Sequence, residues 1–261
     1  MIPRPGVFFS LFHMSRTSLS VVDYRRRTNE VIRKLHESCT RDRLKPSELL
    51  DKILAMFPPR LSRWFISRFP EPATWLRARS NFTVTTAVWS MVGHVMGLGD
   101  RHGENILIDS FGDAVMIDFS CLFDKGLTLE KPELVPFRLT QNVIDAMGVQ
   151  GVEGPFRKVC EMTLAALRRE RDTIMSIAET FVHDPLVDWS WKGRRKEQEE
   201  VGKAALDALA QIQGRITGTL IGVQSVPSLS LTVEGHVHRL IQEASDKDNL
   251  GGMYIWWMPW F

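Results

Sequence analysis

Four polar residues crowd one short stretch of this chain. In "GLGDRHGENILIDSFGDAVMIDF", residues 97–119, Asp100, His102, Asn105 and Asp118 stand among glycines and short apolar runs. A soluble core needs no such set. Phosphoryl transfer does: one carboxylate orients an attacking hydroxyl and takes its proton, while an amide and a second carboxylate hold Mg²⁺ against the phosphates. Taken singly, Asp and Asn beside turns are more often structural, so the joint spacing carries the argument.

The elements that position these groups can be read from periodicity. "ILID" (106–109) and "AVMIDF" (114–119) are β-type runs, joined by Ser110, Phe111, Gly112 and Asp113, a turn composition. Pairing Asp109 with Ala114 places Asn105 opposite Asp118 at the open end of the hairpin. Directly opposed residues have Cβ atoms about 4.5–5.5 Å apart. A slip of one residue breaks that arrangement. Ahead of the hairpin, Val84, Ala87, Val88, Met91, Val92, Val95 and Met96 form one helical stripe, capped at Asn81 or Thr83 and stopped by Gly97 and Gly99.

Elsewhere the pattern is mainly helical. Helices are expected over 24–38, over 47–56 and around Trp64 and Phe65. An irregular loop spans 119–142, and one long helix runs from Phe156 to Val182. A charged linker, 191–200, precedes a helix reaching about Ile221, and Val233, Val237, Leu240, Ile241 and Ala244 mark a last helix. Residues 1–23 read as a poorly structured extension, preferred over a transit peptide.

Composition sets the outer bounds. The 261 residues are 44% hydrophobic and 25% charged, an ordinary globular balance. A net charge of +2 gives no argument for nucleic acid or an anionic membrane. Cys39, Cys121 and Cys160 show no paired spacing, which excludes a disulfide framework or a cysteine zinc site. No apolar run approaches membrane-spanning length.

Asp100 precedes Asn105 by five positions, the protein-kinase spacing from catalytic Asp to metal-binding Asn, and Asp118-Phe119-Ser120 stands where D-F-G would follow. The histidine is displaced, lying after the Asp as D-R-H. That inversion makes "GLGDRHGEN" and "MIDF" resemble the catalytic and metal-binding loops of the phosphatidylinositol 3-kinase-related protein kinases. "PELVPFRLTQNVIDAMGVQGVEGPFRKVCE" resembles their activation loop and following helix, and "GHVHRLIQEASDKDNLGGMYIWWMPWF" their FATC segment. "RHGEN", "DFSCLFDKG" and "HDPLVDW" look most like the ATR-type checkpoint branch. The resemblance covers 24–261.

It implies a kinase C-lobe, mainly α (α+β), over 24–190, with a catalytic loop at 97–105 and a metal and activation loop at 118–142. It further implies a charged linker and helix over 191–228 and a helical FATC tail over 229–261. By resemblance, Asp100 orients the hydroxyl and His102 steadies charge on the transferring phosphoryl. Asn105 and Asp118 are implied as Mg²⁺ ligands (Mn²⁺ as an alternative), and Leu107 with Ile117 as the floor of an adenine pocket. Arg101 is implied to position phosphate or the activation loop. The implied reaction moves the γ-phosphate of ATP to Ser or Thr, before Gln, in nuclear DNA-damage and replication-stress signalling. The implied partners are protein substrates, an ATR-interacting regulatory subunit and DNA-damage adaptors, with no direct DNA contact.

Two departures stand out: Ser120 replaces the D-F-G glycine, and Trp256 stands where FATC patterns carry Gly. Only Gly6 and Gly93 precede Gly97, so no G-x-G-x-x-G phosphate loop lies there. The expectation is that the kinase N-lobe is absent and that the chain alone is not competent. Two other readings fit less: a metallophosphoesterase, from "GDRHG", and a non-catalytic docking scaffold. His94 reads as a core or boundary residue, and the tail "IWWMPWF" as packed on the lobe.

Overall fold

The longest helix shows how local chemistry sets the frame. Pro72 fits the first helical turn, and the Glu71 carboxylate caps it by accepting from the N–H groups of Ala73 and Thr74. The helix therefore starts nine residues or more before the expected cap and runs Pro72–Met96. Its buried face is also rotated from the expected stripe. Phe82, Thr86, Ala87, Ser90, Met91 and Val95 are buried, whereas Val84 and Val88 are exposed. Small hydroxyl residues serve on the inner face because some bond their own helix, as Ser90 Oγ does to the Thr86 carbonyl (2.8 Å). Gly97 ends the helix at φ 62°, and a Cβ there would lie 2.7 Å from the Asp124 nitrogen.

The computed structural model describes residues 9–10, 30–35, 37, 44–182, 198–219 and 230–261. In chain order its labelled elements are β1 (Phe9–Ser10), α1 (Pro46–Met56), α2 (Leu61–Arg68), α3 (Pro72–Met96), β2 (Ile106–Ile108) and β3 (Ala114–Met116). Then follow α4 (Gln141–Ala146), α5 (Pro155–Arg169), α6 (Arg171–Val182), α7 (Gln198–Thr217), α8 (Val233–Ser245) and α9 (Lys247–Gly252). Residues 30–35 are helical as well. The fold is mainly helical with one small sheet, as expected. Cys39, the motif at 183–189 and the linker up to residue 197 lie outside the described residues.

Helices α3, α5, α7 and α8 share one core, with Phe82, Met91, Phe156, Leu164, Ile216 and Val237 fully or almost fully buried. The expected single helix Phe156–Val182 is two helices. Glu170, at φ −91° and ψ 18°, leaves helical geometry between them. Periodicity misses this break because the apolar stripes on either side stay in phase. The tail packs, as expected: α9 lies on α1, and Trp257 and Trp260 are each 4% exposed. Tyr254 and Trp256 point outward. Trp256 causes no strain, because the left-handed residue of that turn is Met258 (φ 55°).

The sheet is antiparallel in the order β1-β2-β3. Its first strand corrects the expectation of an unstructured 1–23: Phe9 pairs with Ile108 and Ser10 with Leu107. The hairpin corrects another. Ile106 faces Met116 and Ile108 faces Ala114, one residue away from the expected register. Asp109 pairs with Asp113 (N–H to O, 3.0 Å) around a three-residue loop, with Gly112 at φ 92°. Hairpins of this kind end in a left-handed glycine. The Asp109 carboxylate also accepts from the N–H groups of Phe111 and Asp113. Asp113, assigned to the turn from composition, is thus the first paired residue of the return strand.

Candidate active site

The corrected register sets Asn105 opposite Ile117, whose N–H donates to the Asn105 carbonyl (3.0 Å). Strand pairing therefore does not face Asn105 with Asp118. A brace from the catalytic loop reaches the Asp118 peptide instead. Arg101, 5% exposed, turns its guanidinium inward onto three carbonyls: Nε to Gly99 (2.8 Å), Nη1 to Ile117 (2.8 Å) and Nη2 to Asp118 (2.5 Å). This replaces the expected role of Arg101 toward phosphate. The residue ties the catalytic loop to the start of the metal loop.

Asp100 has φ 57° and Asp118 φ 59°, both in the left-handed region that costs a non-glycine residue free energy. Asp100 is held there from both sides. Its N–H donates to Glu133 Oε1 (2.9 Å), and its carbonyl accepts from Asn105 Nδ2 (2.9 Å). Because Nδ2 is engaged, Asn105 offers Oδ1 as its free acceptor. His102 Nδ1 accepts from the Glu104 N–H (3.2 Å), which leaves the neutral ring's proton on Nε2, 3.8 Å from Asp100 Oδ2.

Two hydrogen bonds from Ser120, then Arg101 and His102 nearby, hold the Asp118 carboxyl below the usual carboxylate range. It is ionised at neutral pH. Burial pushes the Glu133 carboxyl up, opposed by the Asp100 N–H. Burial also lowers the Arg138 guanidinium to about 9, so it stays charged at neutral pH.

Glu133 and Arg138 were not singled out from sequence, although "PELVPFRLT" shows two charges inside an apolar run. Arg138, 3% exposed, donates to the carbonyls of Arg101 (3.2 Å), Trp257 (2.8 Å) and Met258 (2.9 Å) and to the main-chain oxygen of Phe261 (2.6 Å). Its guanidinium lies 4.3 Å from the Trp257 ring centroid. The tail thus meets the catalytic loop through one cation.

Leu107 pairs with Val115. With Asn105 facing Ile117, alternation still puts Leu107 and Ile117 on one hairpin face as diagonal neighbours. Leu107 is half-buried and Ile117 is 38% exposed. Beside them Phe119 meets Trp89, ring centroids 6.0 Å apart.

The amide oxygen of Asn105 and the carboxylate of Asp118 are hard donors that suit Mg²⁺, which takes one or two carboxylates and completes its shell with phosphates and water. Among the described residues no group of three or more His, Cys, Asp or Glu could hold a metal. Among the same residues no helix is long and apolar enough to cross a membrane.

The chain is similar in sequence and fold to known proteins. Residues 12–191 match the family model "Phosphatidylinositol 3- and 4-kinase", and residues 230–261 match "FATC domain". The serine/threonine-protein kinase ATR of Oryza sativa subsp. indica is 53% identical over 239 residues, 91% of this chain and 9% of that protein. The protein kinase rad3 of Schizosaccharomyces pombe is 48% identical over 218 residues, 83% of this chain and 9% of that protein. The chain therefore spans about a tenth of the length of these curated relatives. The solved FAT and kinase domain of CtTel1 superposes with a TM-score of 0.71 at 37% identity, covering 83% of this chain and 14% of that one. A Tel1 kinase dimer structure gives 0.75 at 31% identity, covering 97% and 10%.

Proposed function

Because the chain belongs to the phosphatidylinositol 3- and 4-kinase family, we propose that it is the catalytic C-lobe and FATC tail of an ATR-type serine/threonine protein kinase. The C-lobe spans 24–190, the linker and helix 191–228, and the tail 229–261. The observation that carries the reading is the Asp100 peptide, fixed in a left-handed conformation by Glu133 and Asn105. Such conformations persist where the surroundings over-determine them, commonly at active sites.

Asp100 orients a Ser or Thr hydroxyl of a protein and takes its proton as the oxygen attacks the γ-phosphorus of ATP, while the bond from that phosphorus to the β–γ bridging oxygen breaks and ADP leaves. His102, with its proton on Nε2, donates toward the transferring phosphoryl. Asn105 Oδ1 and the ionised Asp118 hold Mg²⁺, or Mn²⁺. When bound, the metal neutralises charge on the phosphates. Leu107 and Ile117 offer apolar surface for the adenine. The "GDRHG" run is accounted for here without a metallophosphoesterase centre.

The relatives' names support serine/threonine kinase activity, and the motif resemblance extends the proposal to phosphorylation before Gln, a nuclear checkpoint role, and a regulatory subunit with DNA-damage adaptors as partners. In an intact kinase carrying these residues, Asp100→Asn should lower kcat about a thousandfold, within the general-base range of roughly 10²–10⁴. Asp118→Asn should weaken Mg²⁺-nucleotide binding by calorimetry and leave metal-free nucleotide binding unchanged. Near-normal turnover by Asp100→Asn would overturn the assignment.

A further inference from the structure

The strongest unassigned feature is the carboxylate of Glu133, 33 residues away in sequence from the peptide it grips. Glu133 comes from the activation loop. Oε1 accepts the Asp100 N–H at 2.9 Å, while Oε2 fills the space between two glycines. A Cβ on Gly99 would lie 2.3 Å from Oε2, and one on Gly126 would lie 2.1 Å from it. Neither position admits a side chain while the carboxylate stays. The Glu133 N–H in turn donates to the Gly126 carbonyl (3.3 Å), closing a small ring of loop contacts. The adjoining residues are fastened to the tail: Lys131 Nζ donates to the Met253 carbonyl (3.1 Å), and the Leu134 N–H to Met253 Sδ (3.2 Å).

We infer that Glu133 is a positioning residue for Asp100, so that the catalytic carboxylate is aligned only while the activation loop is seated. This rests on the kinase reading above and adds a regulatory condition to it. The physical reason is local. Asp100 is strained at φ 57°; its N–H donates to the Glu133 carboxylate and its carbonyl accepts from the Asn105 amide. Losing the first frees the N–H side of that peptide, and the backbone relaxes toward negative φ. The side chain then swings off the hydroxyl it must meet. Misplacement of a reacting group by about 1 Å can cost on the order of a hundredfold in rate.

Glycine at 126 supplies an independent way to dislodge the carboxylate. Gly126→Ala leaves Glu133 in the sequence and pushes its Oε2 aside. If both substitutions act by the same displacement, their effects are not additive. A purely structural role for either residue gives additive losses of stability instead.

The experiment uses an intact kinase carrying these residues, with Asp100→Asn in parallel. Glu133→Ala should lower kcat at least about tenfold and leave KM for ATP nearly unchanged. Glu133→Gln, which keeps one acceptor oxygen, should recover part of the loss. Gly126→Ala should reproduce the defect and add little in the Glu133→Ala background. The Asp100 amide should exchange with solvent faster in Glu133→Ala, a readout that needs no turnover. Asp100-dependent transfer that ignores Glu133→Ala and Gly126→Ala overturns this inference alone. A parent protein without Asp100-dependent transfer overturns the kinase reading and this inference with it. Should Glu133→Ala fail to fold, Gly126→Ala decides by the same kcat and exchange measurements.

Discussion

The helical core and the catalytic edge are held together by opposite means. Between α3 and α5 the contacts are apolar and carried by side chains such as Phe82, Met91, Phe156 and Leu164, with almost no surface left exposed. Along the catalytic edge, polar side chains reach main-chain atoms: the buried Arg101, Asn105 and Arg138 and the half-buried Glu133 all end on peptide groups. Apolar packing tolerates repacking if volume is kept. Polar braces do not, since a buried partner left alone costs about 1–3 kcal/mol for each group. The core supplies stability, and the edge fixes conformations that the chain would otherwise leave.

Arg138 joins the catalytic loop to the tail and gives the largest expected effect. Arg138→Ala strips four main-chain oxygens of a donor, two of the bonds being buried. A loss of roughly 4 kcal/mol or more in denaturant unfolding is expected, together with a fall in kcat. Stability loss with normal kcat would detach the tail from the catalytic loop. Phe82→Ala comes next and separates the regions. A stability loss of about 3–5 kcal/mol should appear, with kcat per folded molecule unchanged when measured well below the midpoint.

A smaller effect follows from the contact between α8 and the end of α3. His236 meets His94 with ring centroids 5.7 Å apart. Burial, then Arg168 and Arg239, lowers His236 to about 4, with Glu243 opposing. His94 is depressed by burial and by Arg215. A base with a depressed folded value contributes its full stability above the unfolded value, near 6.5. That contribution is lost as pH falls toward about 4. For His236 the loss amounts to roughly 3 kcal/mol across that window. Unfolding curves at pH 7 and pH 5 should show about 2 kcal/mol of it, and His236→Gln should flatten the slope. An unchanged slope would mean that the ring is solvated.

How far the sequence reveals this molecule depends on what each region is made of. The α8 helix was legible because Val237, Leu240, Ile241 and Ala244 repeat on one buried face. The first turns of α3 were not, since Glu71 and Pro72 define that start by capping rather than by apolar spacing. The hairpin existed where expected, yet its register depended on whether Asp113 pairs or turns, which Gly112 and the Asp109 carboxylate decide. Asp100, His102, Asn105 and Asp118 could be named from type and spacing. Glu133 could not be joined to Asp100, because nothing periodic links residues on two irregular loops.

The strand at Phe9–Ser10 also bears on how the catalytic hairpin comes to be assembled. β2 and β3 are joined by a tight turn and can meet on the microsecond scale typical of hairpins. β1 pairs with β2 across a loop of about a hundred residues that contains all of α3. Closing so long a loop is entropically slower to be repaid. Phe9 and Ser10 are therefore expected among the last to take their place, and until they do β2 presents an open row of peptide groups. Such an edge invites pairing with another chain. The two residues of β1 act as a late seal on the strand that leads out of the catalytic loop.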